Sequence, residues 1–494
     1  MISTPFDYSR ATSLDDALAK LAATGGDGKF IAGGHSLVPL MKLRLSEPKI
    51  LIDIARIPGL SGIREKGQAI EIGAGTVHHD VASSELLRKV CPAIADCAAA
   101  IGDPQVRNRG TLGGSIAFSD PAAELPACLL ALDGETILSA VTEIGYLHRG
   151  FEKDCETHTY QQCIPYTDRL NYVSAIMNNV GFCKAVERML DIRVPDRALY
   201  IRVITCELNR IIDHLVCAGA NLVDIGALTN FWYSFNVREK VYNILEKLCG
   251  ARLTSSYTRI GGLVRDTYPS FDDEVKAVLK EIQKGVGDIQ KLISKNRIFL
   301  DRTQGICVMS KEKAIAYGWT GPTLRASGVE YDLRKAEPYY HYEDFKFDIP
   351  VGSKGDVFDR IFIRFYEIEE SIKIIEQALK KMPSGPVMTD DKRVSTPPKE
   401  RTYGNIEGLM NHFKIIMNGI CPEPGEIYDS TEAANGELGF YIVSDGSKNP
   451  YRVKCRPPCF MNFAAYHEMI EGSMIADAVA NLGSINIIAG ELDR

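Results

Sequence analysis

Apolar residues recur at three- and four-residue spacing along two long stretches in the middle of the chain. In DRLNYVSAIMNNVGFCKAVERML, Leu170, Val173, Met177, Val180 and Met189 fall on one face of an amphipathic helix beginning near Asp168. RALYIRVITCELNRIIDHLVCAG repeats the pattern with Ile201, Leu208, Ile211 and Leu215. Both are long enough for a bundle core. Two more helices are predicted from Glu274 to Ser294 and from Ile361 to Met382, the latter ended by Pro-Ser-Gly-Pro. Near the C-terminus, GELGFYIVSDGSKNPYRVKCR, from Gly436, alternates as a hairpin turned at Asp-Gly-Ser-Lys-Asn-Pro.

Before about residue 140 the pattern changes. SLDDALAKLAATGG has a Ser13 cap, acids in its first turn and a Gly-Gly stop, the marks of a short helix. KFIAGG reads as a strand entering a glycine turn, Ile50 to Ala55 as a buried strand and Ala69 to Gly75 as a third. Short helices follow through SSELLRKVCPAIADCAAAIG. This first part is mixed α/β and holds only four of the chain's 41 aromatic residues, Phe6, Tyr8, Phe30 and Phe118. The break places a junction between Leu132 and Ala140 and two units of different ancestry, residues 1–138 and 139–494.

Composition narrows the chemistry. With 494 residues, 45% hydrophobic and 24% charged, the chain has ample material for folded cores. Its net charge of -7 carries no block of like charges, which argues against nucleic-acid binding. No apolar run approaches the ~20 residues that cross a bilayer, and the N-terminus lacks a signal-peptide pattern. The 13 cysteines form no CxxC pair and read as reduced thiols. Cys455 and Cys459 have no second pair nearby, so no metal site is assigned, and nickel-iron ligation, which needs two cysteine pairs, is disfavoured.

Two glycine clusters follow apparent strands in the first unit: IAGGHSL, with Gly33, Gly34, His35, Ser36 and Leu37, and GTLGGS, with Thr111, Gly113, Gly114 and Ser115. Glycine pairs let successive backbone N–H groups close on an anion, and the Ser36, Thr111 and Ser115 hydroxyls can add donors. Tight strand-to-helix turns explain either cluster equally well. The strings AGGHSLVPLMKLRL, IEIGAGT and IGDPQVRNRGTLGGSIAFSDPAAELPACLLALD, over roughly residues 1 to 135, resemble the flavin-binding subunit of molybdenum hydroxylases of the carbon monoxide dehydrogenase medium-chain type. The resemblance implies that both loops hold the FAD pyrophosphate, with Asp120 near the ribose or loop backbone. The family's later flavin strands and its C-terminal subdomain are missing, so the segment reads as a truncated FAD-binding domain.

From Ile144 onward the chain resembles another family, the quinone-site D-type subunits of respiratory complex I, related to the large subunit of nickel-iron hydrogenases. The strings IGYLHRGFEK, YTDRLNYVSAIMNN, ANLVDIGALT, TRIGGL, LRASGVEYDLRKAEPY, FDIPVGSKGDVFDR and GELGFYIVSDGSKNPYRVKCRPPCF run in family order to the closing GELDR. The implied fold is a mainly α-helical bundle. By this resemblance Tyr172 hydrogen-bonds and protonates a quinone headgroup, and Asp224 belongs to the proton-delivery network. His148, Arg149 and Arg169 lie close to an iron-sulfur cluster held by a partner subunit. The residues alone leave other readings open: a core tyrosine bonded to backbone, a structural salt-bridge cluster, and an Asp224 that burial would make costly unless paired. Glu207, Arg210 and His214 share a helix face among Ile and Leu and read as a buried polar network, with a proton relay as the alternative.

Departures are plain. Members of that family begin with a β-domain whose GPQHPATHG-type loop supplies a histidine for the quinone, and no such string occurs here. Thr254 stands where many members carry a histidine linking cluster potential to pH. The join at LDGET, Leu132 to Thr136, would suit either family, as recombination or a mis-assembled gene leaves it.

The expected function is that of a subunit of NADH-quinone oxidoreductase, a translocase of electron transport, helping to build the quinone-reduction chamber. Its expected partners are other complex I subunits, the iron-sulfur subunit and the membrane arm above all, at the cytoplasmic face of the inner membrane. NADH would be oxidised elsewhere, and FAD is a possible cofactor of the first unit. The alternatives are a flavoprotein of the molybdenum hydroxylase type and a chimera without intact activity. Low stability of residues 1 to 140 is also expected, because missing strands leave edges open.

Overall fold

The hydroxyl of Ser13 accepts from Asp16 N at 3.1 Å and starts the first helix, Leu14–Ala23, where the cap pattern places it. The computed structural model describes residues 4–494 except 43, 45, 68, 102 and 119–135. The chain divides into two compact units, Met1–Glu135 and Thr136–Arg494.

In the first unit, strands β1 (Asp7–Arg10), β2 (Gly28–Ile31) and β3 (Ile50–Asp53) form a parallel sheet in the order β1-β3-β2. Tyr8 pairs with Leu51 and Phe30 with Ile52, and Leu51 and Ile52, on the central strand β3, are both buried. A hairpin of β4 (Ile63–Lys66) and β5 (Ala69–Ile72) and short helices complete the unit. Its apolar interior comes in two small clusters, one around Ile52 and Ala17 and one around Val81, Leu87, Ala95 and Leu112. Three short strands, with both outer edges unpaired among the described residues, make a thin sheet.

The second unit is helical around one long element. Helices α1 (Ala175–Met189), α2 (Asp196–Asp224), α3 (Leu228–Cys249), α4 (Phe271–Ile293), α5 (Val357–Lys381) and α6 (Ile475–Ile485) supply most of its core. The 29-residue α2 is about 43 Å long. It ends because Gly226 takes a left-handed backbone, φ +93°, and the N–H groups of Gly226 and Ala227 return to Val223 and Leu222. Strands β6 (Gly425–Ala433), β7 (Gly436–Ser444) and β8 (Arg452–Arg456) form an antiparallel sheet ordered β8-β7-β6. Helix α1 lies on that sheet, Phe182 meeting Phe440 edge-on at 5.6 Å. There a Cβ on Gly181 would stand 3.1 Å from Thr431 Oγ1, a tight contact.

The sequence expectation fails at one functional stretch. No helix begins near Asp168: a helix ends at Thr167, Asn171 caps a 3-10 turn over Tyr172–Ser174, and α1 starts at Ala175. The Asn171 side chain accepts from Val173 N at 3.2 Å and Ser174 N at 3.4 Å, so a local cap replaces the helical ladder.

Candidate functional site

In the first unit the two glycine loops meet backbone to backbone. A Cβ on Gly33 would lie 2.0 Å from the Arg109 carbonyl oxygen, and one on Gly113 2.7 Å from the Ala74 carbonyl oxygen. Gly34 adopts φ +76°, the left-handed region that glycine enters without strain. These contacts hold Gly33, Gly34, His35, Ser36 and Leu37 along one side of a cleft of about 640 Å³, with Thr111, Gly113, Gly114 and Ser115 along another. Phe30, Ile54 and Leu60 add apolar wall.

Two of the three hydroxyls expected to face a ligand have partners in the chain. Thr111 Oγ1 accepts from Gly114 N at 3.1 Å, and Ser115 Oγ lies 3.0 Å from His78 Nε2. Buried His78 sits directly under Gly110, whose Cβ would strike its ring at 2.9 Å. Sequence reading passed over it, although VHHD follows the IEIGAGT string. The cleft fits a pyrophosphate group through its two small-residue loops. Asp120 lies outside the described residues.

In the second unit Tyr172 is 41% exposed, a correction to the buried inner-face tyrosine that helical spacing suggested. Its hydroxyl has no hydrogen-bond partner among the described residues. Beneath it the turn is anchored in the core: Asn171 Nδ2 and Ser174 Oγ both donate to Asp213 Oδ2, at 2.8 and 2.9 Å. Asp213, Asn171 and Ser174 are all buried.

Asp224 is also exposed rather than enclosed, because it is the last residue of α2, where the chain turns away. Partial desolvation still pushes its carboxyl above the usual range. It stands eleven residues beyond Asp213, about 16 Å along the helix. Tyr172 and Asp224 are therefore not in contact through the turn's anchor, and no ion pair holds Asp224 among the described residues.

His148, Arg149 and Arg169 gather near the chain's last residues. His148 Nδ1 lies 2.7 Å from the Asp493 carbonyl oxygen, and Gly145 N and Leu147 N donate to the Asp493 carboxylate. Gly490 packs so closely on the preceding turn that a Cβ would lie 2.4 Å from the Arg169 carbonyl oxygen. Lost hydration, then the facing Arg169 guanidinium, hold Arg149 below its usual range. Two guanidiniums thus face one another on an exposed surface, with Asp168 3.8 Å from Arg169 as a partial counter-charge.

The helix face of Glu207, Arg210 and His214 is wholly buried, as its apolar flanks suggested. Glu207 receives Arg210 Nε at 3.1 Å, Arg334 Nη1 at 3.1 Å, Tyr342 Oη at 2.6 Å and Ser371 Oγ at 2.7 Å. Burial pushes its carboxyl up, but Arg210, Arg334 and the hydroxyls outweigh it and hold it down at about 2. His214 Nε2 lies 2.8 Å from Glu367, which Arg325 also binds, and Arg325 reaches Glu432 on β6 at 2.9 Å. Burial holds His214 below its usual range against the pull of Glu367. Asp332, Arg325, Arg334 and Glu432 escaped sequence reading because such residues ordinarily mark solvated loops.

Comparison with known proteins finds a relative for each unit. Residues 224–494 match the family described as respiratory-chain NADH dehydrogenase, 49 Kd subunit, and residues 4–146 match the FAD binding domain in molybdopterin dehydrogenase. The C/D-type NADH-quinone oxidoreductase subunit of Bdellovibrio bacteriovorus is 56% identical over 363 residues, 74% of this chain and 65% of that protein. The D-type NADH-quinone oxidoreductase subunit of Leptospira biflexa is 48% identical over 365 residues, covering 74% of this chain and 90% of its own length. Its counterpart in Myxococcus xanthus is 49% identical over 363 residues, with 74% and 88% covered. No helix among the described residues is long and apolar enough to cross a membrane. The chain therefore belongs to the 49 kDa subunit family of the respiratory-chain NADH dehydrogenases, and its N-terminal segment matches the FAD-binding family of the molybdopterin dehydrogenases.

Proposed function

We propose that the second unit forms one wall of a quinone-reduction chamber in the peripheral arm of an NADH-quinone oxidoreductase. The observation that carries this reading is the Tyr172 phenol, unpartnered at the surface of a turn that Asp213 locks from beneath. An exposed hydroxyl on a rigid mount suits donation to a quinone carbonyl, and rigidity in the mount is what makes such a donor effective. The rest of the chamber belongs to partner subunits, because Tyr172 and Asp224 lie on open surface and the described cavities include neither.

In this reading Arg149, Arg169 and His148 face the partner's iron-sulfur cluster, where positive charge favours the reduced state. Asp224, with its raised carboxyl, takes up and passes protons at the chamber's edge. The helical body shares the nickel-iron hydrogenase large-subunit ancestry. The chain docks on the iron-sulfur subunit and the membrane arm, peripheral to the cytoplasmic face of the inner membrane. No GPQHPATHG-type loop occurs in this sequence, and Tyr172 is the donor that this chain itself supplies.

The first unit holds an FAD pyrophosphate between the Gly33–Leu37 and Thr111–Ser115 loops, the latter kept in register by His78. FAD, when bound, would supply one- and two-electron transfer. The family match over most of the chain favours the respiratory subunit over a molybdenum-hydroxylase flavoprotein. A photoreactive ubiquinone analogue applied to the assembled complex tests the proposal: it is expected to label the peptide containing Tyr172 in competition with ubiquinone. Labelling confined to other subunits would refute it.

A further inference from the structure

The Asp213 carboxylate that anchors the Tyr172 turn is joined, on its other side, to a second buried carboxyl. Asn486 Nδ2 donates to Asp213 Oδ1 at 2.6 Å and lies 2.7 Å from Asn435 Oδ1. Asn435 Nδ2 is 3.6 Å from Cys459 Sγ, and Cys459 Sγ lies 3.0 Å from Glu491 Oε2. Asp213, Asn435, Cys459 and Glu491 are all at most 1% exposed. One continuous polar thread thus runs from Ser174, through the core, to the penultimate turn of the chain.

The charges along this thread do not balance if both carboxyls ionise. Glu491 meets a thiol and amides but no cation among its hydrogen-bond partners. Titratable and charged groups reach it from every packed element: Asp213 on α2, Cys459 on the helix Pro458–Ala464, and Cys455 on β8. Beyond Cys455 stands Glu152, which pairs with both Lys454 and Arg494. On the far side of Asp213, Arg364 of α5 acts on His214 and Cys217. Two anions in one apolar compartment repel strongly, so one of them keeps its proton. Asp213 accepts three hydrogen bonds from amides and a hydroxyl, whereas Glu491 meets a thiol and has no cation beside it among the described residues, so Glu491 is the one that stays neutral. Burial, and then Asp213, raise Glu491 to about 7.

We propose that Asp213 and Glu491 form a buried carboxyl pair in which the neutral Glu491 lets Asp213 hold the Tyr172 turn, making Glu491 a positioning residue for quinone reduction. The inference rests on the chamber reading given above, but its first half concerns this chain alone. When Glu491 loses its proton, the new charge repels Asp213, the Asn486 amide is drawn between two anions, and the grip on Asn171 and Ser174 loosens. Quinone affinity then falls as pH rises through the neutral range. One titrating group with a midpoint near 7 leaves about a tenth of the chains competent at pH 8, so the quinone KM rises about tenfold between pH 6 and pH 8.

The test is a fluorine resonance in the full chain, with Tyr172→4-fluorophenylalanine as the probe because it has no titrating hydroxyl of its own. The resonance is expected to shift in a single step near pH 7. Glu491→Gln should abolish the step, and Asp213→Asn, which removes the charge that ionised Glu491 repels, should abolish it as well. A step that survives unchanged in Glu491→Gln, or no step between pH 5.5 and pH 8.5, overturns the proposal. In the assembled complex, Glu491→Gln should keep the quinone KM flat across this range. If the fluorine step behaves as stated while the KM of the unsubstituted complex does not follow it, the carboxyl pair stands and the chamber reading fails.

Discussion

Asn486 holds a left-handed backbone, φ +54°, while its side-chain amide donates to Asp213 Oδ1 at 2.6 Å. The backbone conformation costs about 1 kcal/mol outside glycine, and it ends α6 so that the chain can turn under Arg169. The hydrogen bond to a buried carboxylate contributes about 1.5–3 kcal/mol and outweighs that strain. Asn486→Gly is expected to lower the stability of the second unit by about 1 kcal/mol, the bond lost less the strain relieved. Asn486→Ala, which loses the bond and keeps the strain, should cost about 2–3 kcal/mol. Urea unfolding followed by circular dichroism measures both, and an Asn486→Gly chain as stable as the unsubstituted one would show that the amide does not anchor Asp213.

Glu207 links pH to folding. Its carboxyl sits at about 2 in the folded chain against an ordinary value of 4.5, so the folded state binds the proton less readily than the unfolded one. The resulting stabilisation, on the order of 3 kcal/mol, is present above pH 4.5 and disappears as pH falls toward 2. Glu367, also held down chiefly by Arg325, adds in the same direction. Acid unfolding of the second unit should therefore steepen below pH 4.5, and Glu207→Gln should flatten that slope. Because Glu207→Gln leaves Arg210 and Arg334 short of a counter-charge, it should also destabilise the chain at pH 7 by about 3–5 kcal/mol.

The glycine cradle gives a contrast between two similar substitutions. Gly33→Ala drives a Cβ into the Arg109 carbonyl and should cost the first unit about 3 kcal/mol or more, removing any rise in its melting temperature on adding FAD. Gly114→Ala meets only the Thr111 hydroxyl, at 2.7 Å, and that side chain can turn aside. It should leave the first unit folded and weaken FAD binding alone. Scanning calorimetry of the full chain with and without FAD separates the two outcomes.

The helical body was largely legible because its helices are amphipathic over many turns. The expected Glu274 to Ser294 and Ile361 to Met382 became α4 and α5 within a few residues at each end. The stretch around Tyr172 was misread for a physical reason: Leu170, Val173 and Met177 keep helical spacing, yet Asn171 offers the backbone a cap and stops the ladder for one turn. Strand β6 was invisible because its residues Asp429, Ser430, Thr431 and Glu432 look solvent-facing, whereas all four are buried and Glu432 serves the Arg325 network. Asp224 looked enclosed because LVDIGAL is apolar, but Gly226 ends the helix and leaves it at the surface.

In the first unit the helix after Ser13 and strands β2, β3 and β5 followed from glycine stops and caps, whereas β1, β4 and the meeting of the two glycine loops did not. That meeting depends on the close approach of Gly33 to the backbone of Arg109 and Gly110, which no local pattern encodes.

Tyr172→Phe in the assembled complex tests the central claim most directly. An exposed hydroxyl without a partner in its own chain can be removed at under about 0.5 kcal/mol, so assembly, thermal stability and electron transfer from NADH to a water-soluble acceptor should be unchanged. Electron transfer to ubiquinone should fall by about 10²-fold or more, the loss expected when a positioned proton donor is removed. Quinone reduction at the unsubstituted rate, in a complex that assembles normally, would contradict the account.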